Sequence, residues 1–197
     1  MKLQTDAIGA ITLTLISLSW LIFAAIFLLR KKPPHAEEAK RAPAATWGIA
    51  LQSLSFAFVW SLPRPLWWPA RPSYIGEIVL ATVAVVLAFG SCWFCFRAIH
   101  VLGKQWTYAA RVIKGHELIT QGPYAVVRNP IYLGMFGLIL GTGLAFSRWW
   151  TLLAAVIFFL VGNHIRIRAE EQLLRETFGS VFDDYARRVP AFFPRRL

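Results

Sequence analysis

From Ile8 to Leu29 the chain carries no charged side chain at all. An α-helix needs ~20 consecutive apolar residues to cross the ~30 Å hydrocarbon core of a bilayer. A soluble chain of 197 residues has no core large enough to bury such a segment on every side. The hydrophobic residues, 57% of the total, come in blocks and do not follow amphipathic spacing. The sequence therefore reads as an all-α integral membrane protein. Lys2 is the sole basic residue ahead of the first block, and no small-residue cleavage site follows it. The block also exceeds a signal-peptide core in length, which predicts a retained helix.

Hydrophobic blocks predict about five transmembrane helices, over 8–29, 46–62, 75–99, 131–147 and 149–164. Arg30-Lys31-Lys32 and then Pro33-Pro34 stop the first, and a polar connector runs on to Arg41. Pro63, Pro65 and Pro69 stop the second, with Trp60, Trp67 and Trp68 suited to an interfacial belt. Glu77 and His100 lie at the two ends of the third block, as interfacial residues do. Lys2, Arg64, Arg71 and Arg148 would share one side of the membrane; Arg30 to Arg41, Arg97 to Arg128 and everything from Arg166 onward would share the other. The positive-inside rule makes the larger group cytoplasmic and the N-terminus external. The fourth and fifth blocks meet at Ser147-Arg148-Trp149-Trp150. Gly134, Gly137, Gly141 and Gly143 allow close helix approach, and the pair is expected to form a tight hairpin. The chain reads as a single domain over 1–197, a two-helix membrane region over 1–70 leading into a core over 75–197.

The formal charge of +11 does not indicate nucleic acid, because the basic residues cluster at the ends of hydrophobic blocks. Such clusters suit anionic membrane lipids. Cys92 and Cys95 form a C-x-x-C inside an apolar run, where packing, not redox chemistry, is expected. The histidines, at 35, 100, 116 and 164, are scattered and lack zinc spacing, so no metal site is expected.

Two polar regions carry the chemistry. The first is GHELITQGPYAVVRNPIYLG, residues 115 to 134, set between hydrophobic blocks. Gly122-Pro123 and Asn129-Pro130 are turn signals. His116, Tyr124, Arg128, Asn129 and Tyr132 add donors, acceptors and aromatic surface, a mixture suited to a polar small molecule. The second is the tail from His164, where Arg166 and Glu170 share a helix face. An arginine at the depth where a helix leaves hydrocarbon is a functional candidate. Glu171 and Arg175 share a neighbouring face and read as a surface ion pair. Phe178-Gly179 marks a helix end, and a short helix over Val181 to Val189 stops at Pro190.

At these residues the sequence resembles the isoprenylcysteine carboxyl methyltransferases, in particular their short bacterial and archaeal relatives. The pattern is G-H-x-L-[IV]-x-x-G-P-Y-x-x-x-R-[HN]-P-x-Y-x-G, an apolar hairpin, then R-x-x-x-E-E-x-x-L-x-x-x-F-G-x-x-[YF]-x-x-Y-x-x-x-V-P-x-x-x-P. Leu102-Gly103-Lys104-Gln105-Trp106 also resembles the L-G-x-x-W ahead of the loop in those relatives. The likeness covers roughly residues 97 to 194. It implies a multi-pass enzyme of the bacterial inner membrane that uses S-adenosyl-L-methionine, with a cytoplasmic cofactor pocket built from the 100–130 loop and the C-terminal helices. Cofactor binding is carried over to His116, Glu117, Leu118, Ile119, Tyr124, Arg128, Asn129, Pro130, Tyr132, Glu170 and Glu171. The acceptor residue carried over is Arg166. Where many relatives have R-H-P, this chain has Arg128-Asn129-Pro130, and asparagine cannot carry an imidazolium's charge.

The implied reaction is transfer of a methyl group to the carboxylate of a lipid-like or prenylated acceptor, a small molecule or a protein. A carboxylate is already ionised near neutral pH, so the work is alignment, not proton abstraction. Arg166, with its planar fork of donors, suits that carboxylate. Two alternatives stay open: a phospholipid or amine N-methyltransferase, and a non-enzymatic lipid-binding membrane protein. The sequence leaves the oligomeric state open.

Overall fold

The computed structural model describes residues 7–29, 38–41, 45–61, 74–103, 111–113 and 117–194. Among these, six α-helices carry the fold: α1 (Ala7–Leu28), α2 (Ala45–Ser61), α3 (Tyr74–Leu102), α4 (Pro130–Phe146), α5 (Trp149–Phe178) and α6 (Ser180–Arg188). A 3-10 turn spans Gly122–Ala125. Three helices, α1, α3 and α5, are long and apolar enough to cross a bilayer; α4 is apolar but shorter, at 17 residues. The stop signals at 30–34, the prolines and tryptophans of 63–69 and residues 104–106 lie outside the described residues.

Two elements differ from the sequence-based expectation. Residues Glu38–Arg41 (β1) and Arg111–Ile113 (β2) form a short antiparallel ladder, with Arg41 opposite Arg111 and an irregularity between Glu38 and Lys40. A polar connector offers no periodicity long enough to reveal a three-rung ladder. The tail helix ends at Phe178-Gly179 as its sequence indicates, but it continues the fifth hydrophobic block without a break, giving one helix of 30 residues, α5. Hydrophobicity ends near His164, but the helix does not, because Arg166 to Arg175 are good helix formers and Gly179 is the first residue to stop it. Gly179 adopts φ +53°, and its N–H reaches the Arg175 carbonyl as a glycine cap does.

The core is organised around α4, most of which is buried. On one side it packs with α1 and α3 through Ile16, Ala84, Ala88, Cys92, Leu138 and Ala145. On the other it joins α2 and α5 through Val59, Ile139, Ala155 and Phe159. Gly134, Gly137 and Gly141 let α3 lie close against α4. A Cβ at Gly141 would sit 2.8 Å from the Ala84 carbonyl oxygen and 3.1 Å from the Ala88 nitrogen. With lipid on the outside, burial of apolar surface gives no drive for helices to associate, so this backbone proximity supplies the packing energy. Hydroxyls within the helices donate to the preceding turn, as Thr12 does to the Ile8 carbonyl, and Thr142 Oγ1 also accepts from Trp20 Nε1 across helices at 2.9 Å. Cys92 and Cys95 are buried and free, their thiols directed at the Ser19 and Ile131 carbonyls. The outward faces carry Leu21, Val86, Trp93, Leu153 and Ile157, all well exposed. So large an apolar exterior suits lipid, not water.

α2 runs antiparallel along α5. Ser55 Oγ donates to the Ala155 carbonyl, Gly48 meets Gly162, and Ala45 packs with Ala169 and Leu173. This contact brings the second helix beside Arg166, whose aliphatic stem lies against Gly48.

Candidate active site

The loop entering α4 is held by the C-terminal segment. Pro130 opens α4 where no N–H is needed. Just ahead of it, the backbone N–H groups of Arg128 and Asn129 donate to the carbonyls of Pro190 and Ala191 at 2.9 and 3.2 Å. Arg128 then closes a fork on Glu171, Nε to Oε1 at 2.8 Å and Nη2 to Oε2 at 2.9 Å, while Nη1 reaches the Ala186 and Val189 carbonyls. The two side chains are 12% and 15% exposed, so this pair is well shielded from screening. The expected Glu171–Arg175 pair is not formed. Glu171 turns inward to Arg128, and Arg175 bonds Asp183 at 2.7 Å on α6. Helical spacing alone puts Glu171 and Arg175 on one face; it carries no information about a stronger partner from a distant loop.

Asn129 has a structural explanation. Its Nδ2 donates to Glu171 Oε1 at 3.3 Å and to the Ala191 carbonyl at 2.9 Å. A neutral imidazole has a single N–H and would leave one acceptor unmet. Asparagine serves both without charge.

Above this clamp lies a shallow cleft of about 60 Å³, lined by Glu117, Leu118, Ile119, Tyr124, Arg128, Asn129, Glu171 and, beyond the residues assigned a role by sequence, Leu102, Leu174, Phe182 and Tyr185. Tyr185 holds its wall in place, donating to the Tyr124 carbonyl at 2.6 Å. Burial pushes the Tyr185 phenol up to about 12, so it remains a donor through the neutral range. Phe182 and Tyr185 stand at fixed positions in the tail motif; their part in the wall was hidden because a motif gives spacing, not the direction in which a helix faces.

A second cluster adjoins the first. Tyr132 donates its hydroxyl to Glu170 Oε1, and Arg166 Nη2 donates to the same oxygen at 3.2 Å. The Arg166 guanidinium carbon sits 5.1 Å from the centre of the Tyr132 ring. Tyr132, Glu170 and Arg166 do not line the cleft; they form a separate polar group against α2. Pro130 is buried beneath the clamp. His116 lies outside the described residues. Thus the structure brings Glu117, Leu118, Ile119, Tyr124, Arg128, Asn129 and Glu171 to one cleft and Tyr132, Arg166 and Glu170 to a neighbouring cluster. Consecutive glutamates on α5 connect the two. Among the described residues, no group of three His, Cys, Asp or Glu side chains is arranged to hold a metal ion.

Residues 79–181, α3 through the start of α6, match the phospholipid methyltransferase family. The chain belongs to that family. It is 48% identical over 99 residues to the nickel-cobalt-cadmium resistance protein NccN of Alcaligenes xylosoxydans, covering 48% of this chain and 44% of that protein. It is 41% identical over 119 residues to the cobalt-zinc-cadmium resistance protein CzcN of Cupriavidus metallidurans, 60% of this chain and 49% of that one. A protein-S-isoprenylcysteine O-methyltransferase of Schizosaccharomyces pombe is 36% identical over 87 residues, 44% of this chain and 36% of its own. The chain thus spans under half the length of these curated relatives. The resemblance read from the loop and tail motifs holds: the matched region contains both glutamates and the Arg128-Asn129-Pro130 turn.

Proposed function

We propose that this membrane protein is a methyltransferase that uses S-adenosyl-L-methionine to methylate the carboxylate of a lipid-like acceptor, in the manner of the isoprenylcysteine O-methyltransferases it resembles. The observation that carries the reading is the division of labour between adjacent residues: Glu171 belongs to the cleft and Glu170 to the Arg166 cluster. One helix therefore presents a cleft wall and a guanidinium side by side.

The cleft fits the cofactor's chemistry. Leu118, Ile119, Tyr124 and Leu174 offer apolar and aromatic walls for a flat ring. Glu117 and Glu171 supply acceptors for hydroxyls, Glu171 keeping lone pairs beyond those Arg128 and Asn129 use. Bound there, S-adenosyl-L-methionine supplies a methyl group on a positively charged sulfur. Arg166 orients the acceptor carboxylate, and Glu170 and Tyr132 fix the guanidinium in turn. The carboxylate needs no base, so these side chains contribute positioning, with exclusion of water by the packed α2–α5 face. We place the site on the cytoplasmic side of five crossings, α1 to α5, with α4 and α5 as a hairpin, because basic residues concentrate on that side. The whole chain acts as one unit, with α2 completing the core formed by α3 to α6.

The test is incubation of membranes containing the protein with methyl-labelled S-adenosyl-L-methionine. A label released as methanol by mild base marks a methyl ester. A base-stable lipid label points to nitrogen and to the phospholipid chemistry of the family's description. Absence of both label and S-adenosylhomocysteine binding leaves a lipid-binding protein.

A further inference from the structure

Along α3, Val83, Val86, Gly90, Trp93, Arg97 and His100 recur at alternating spacings of three and four, so they share one face, and all are exposed. The other side of the helix is occupied: Ala84, Ala88, Ser91 and Cys95 meet α4, and Cys92 meets α1. From Glu77 to Arg97 is ~30 Å of helix, the thickness of a hydrocarbon layer, and no charged residue lies between them. Arg97 therefore stands at headgroup level, with Trp93 ~6 Å and Gly90 ~10 Å inward of it.

Gly90 has no packing role within the chain. A Cβ at Gly48, Gly134, Gly137, Gly141, Gly143 or Gly162 would come within 3 Å of a neighbouring atom; at Gly90 it would meet nothing within 4 Å. Glycine inside a helix is less stable than alanine, so the notch it leaves between Val86 and Trp93 suits an occupant from outside the chain. Arg97 is similarly unspent. Arg128, Arg166, Arg175 and Arg187 each bond a carboxylate, whereas Arg97 has no hydrogen bond or ion pair among the described residues. His100, one turn further out, stacks on Phe96 with ring centres 5.9 Å apart. The sequence supplies no counter-charge nearby: from Ile78 to His116 it has no acidic residue, while Arg97, Lys104, Arg111 and Lys114 are all basic.

We propose that this face of α3 binds one anionic phospholipid: Arg97 and His100 take the phosphate, the Trp93 N–H takes an ester carbonyl, and the Gly90 notch takes an acyl chain. Each part of such a lipid meets its complement at the right depth, cation and indole at the interface and an apolar groove below. A second copy of the chain fits less well, because a parallel pair would set Arg97 against Arg97 and His100 against His100 on the same seam. The site is separate from the cleft, since Leu102, the α3 residue in the cleft wall, lies off this seam. The lipid is also no methyl acceptor: phosphatidylglycerol has neither an amine nor a carboxylate. It would bind whether or not the protein transfers a methyl group.

The experiment is native mass spectrometry of the full chain equilibrated with equal amounts of phosphatidylglycerol and phosphatidylcholine of identical acyl chains. Wild type is expected to retain one phosphatidylglycerol in preference by ~5-fold or more. Arg97→Gln should bring that ratio close to one. Arg168→Gln is the control: Arg168 is exposed on α5, has no ion pair among the described residues, and lies outside the seam, so its loss should leave the ratio unchanged. Gly90→Leu fills the notch with a better helix former, so the fold is kept, and should weaken phosphatidylglycerol retention ~3-fold or more with both cations in place. A wild-type ratio near one overturns the proposal. Equal losses in Arg97→Gln and Arg168→Gln also overturn it, since overall charge would then be the cause. A dimer that Gly90→Leu dissolves, with lipid retention unaltered, would assign the seam to a second copy and overturn it as well.

Discussion

Two helix crossings hold this protein together, and they are built on opposite terms. Where α3 meets α4, small residues face small residues, and the polar groups are met, Ser91 by the Leu87 carbonyl of its own helix and Cys95 by the Ile131 carbonyl across the crossing. Where α2 meets α5, glycines again bring the backbones together, yet Gln52 Nε2 and Asn163 Oδ1 are left unmet among the described residues and the Arg166 stem lies in the contact. Identical backbone proximity serves different ends. The first crossing maximises packing; the second retains polarity that packing alone does not require, beside Arg166.

The comparison breaks most sharply at Gly141. Gly141→Val forces a side chain against the Ala84 carbonyl and should cost about 3 kcal/mol or more of stability, seen as a lowered Tm with residual turnover per folded molecule unchanged. On the other crossing the expected loss is functional. Arg166→Ala should lower kcat/KM by about 100-fold or more, with S-adenosylhomocysteine affinity held within error by calorimetry. A parallel loss of cofactor affinity would erase the division between the two clusters. Arg128→Lys touches neither crossing. Replacing the fork on Glu171 by a single point charge should cost about 2 kcal/mol and weaken cofactor binding, because the clamp forms a cleft wall. Tyr185→Phe is the mildest, at about 1 kcal/mol. Because the folded phenol titrates near 12 and the unfolded one near 10, the unfolded chain releases its proton first. Stability should therefore fall as pH rises from 10 toward 12, and fall less in the phenylalanine variant, as measured by chemical denaturation.

The helices were legible because each hydrophobic block ends in charge, proline or glycine. Most of the cleft was legible too, since the GPY and RNP turns keep short-range spacing. Partner choice was not. Glu171 could be placed on a face, but nothing local to α5 foretells a fork from Arg128, forty-three residues earlier. Asn129 looked like a loss of charge and is instead a two-way donor to acceptors that sequence cannot bring near. Gln52 and Asn163 were visible as polar residues in greasy blocks, yet their unmet state depends on how α2 and α5 cross. The β1–β2 ladder escaped because three residues carry too little pattern.

The continuity of α5 has one more consequence. Asn163, Arg166, Glu170 and Glu171 ride on a single rod with no joint between them, so no local bending can retune the span from oily interior to watery recess. For the proposed acceptor, bilayer thickness and the position of Trp149 would set the height at which its headgroup meets Arg166. Molecules whose polar end floats a turn too high or too low would be rejected by elevation alone, whatever their affinity for the rod.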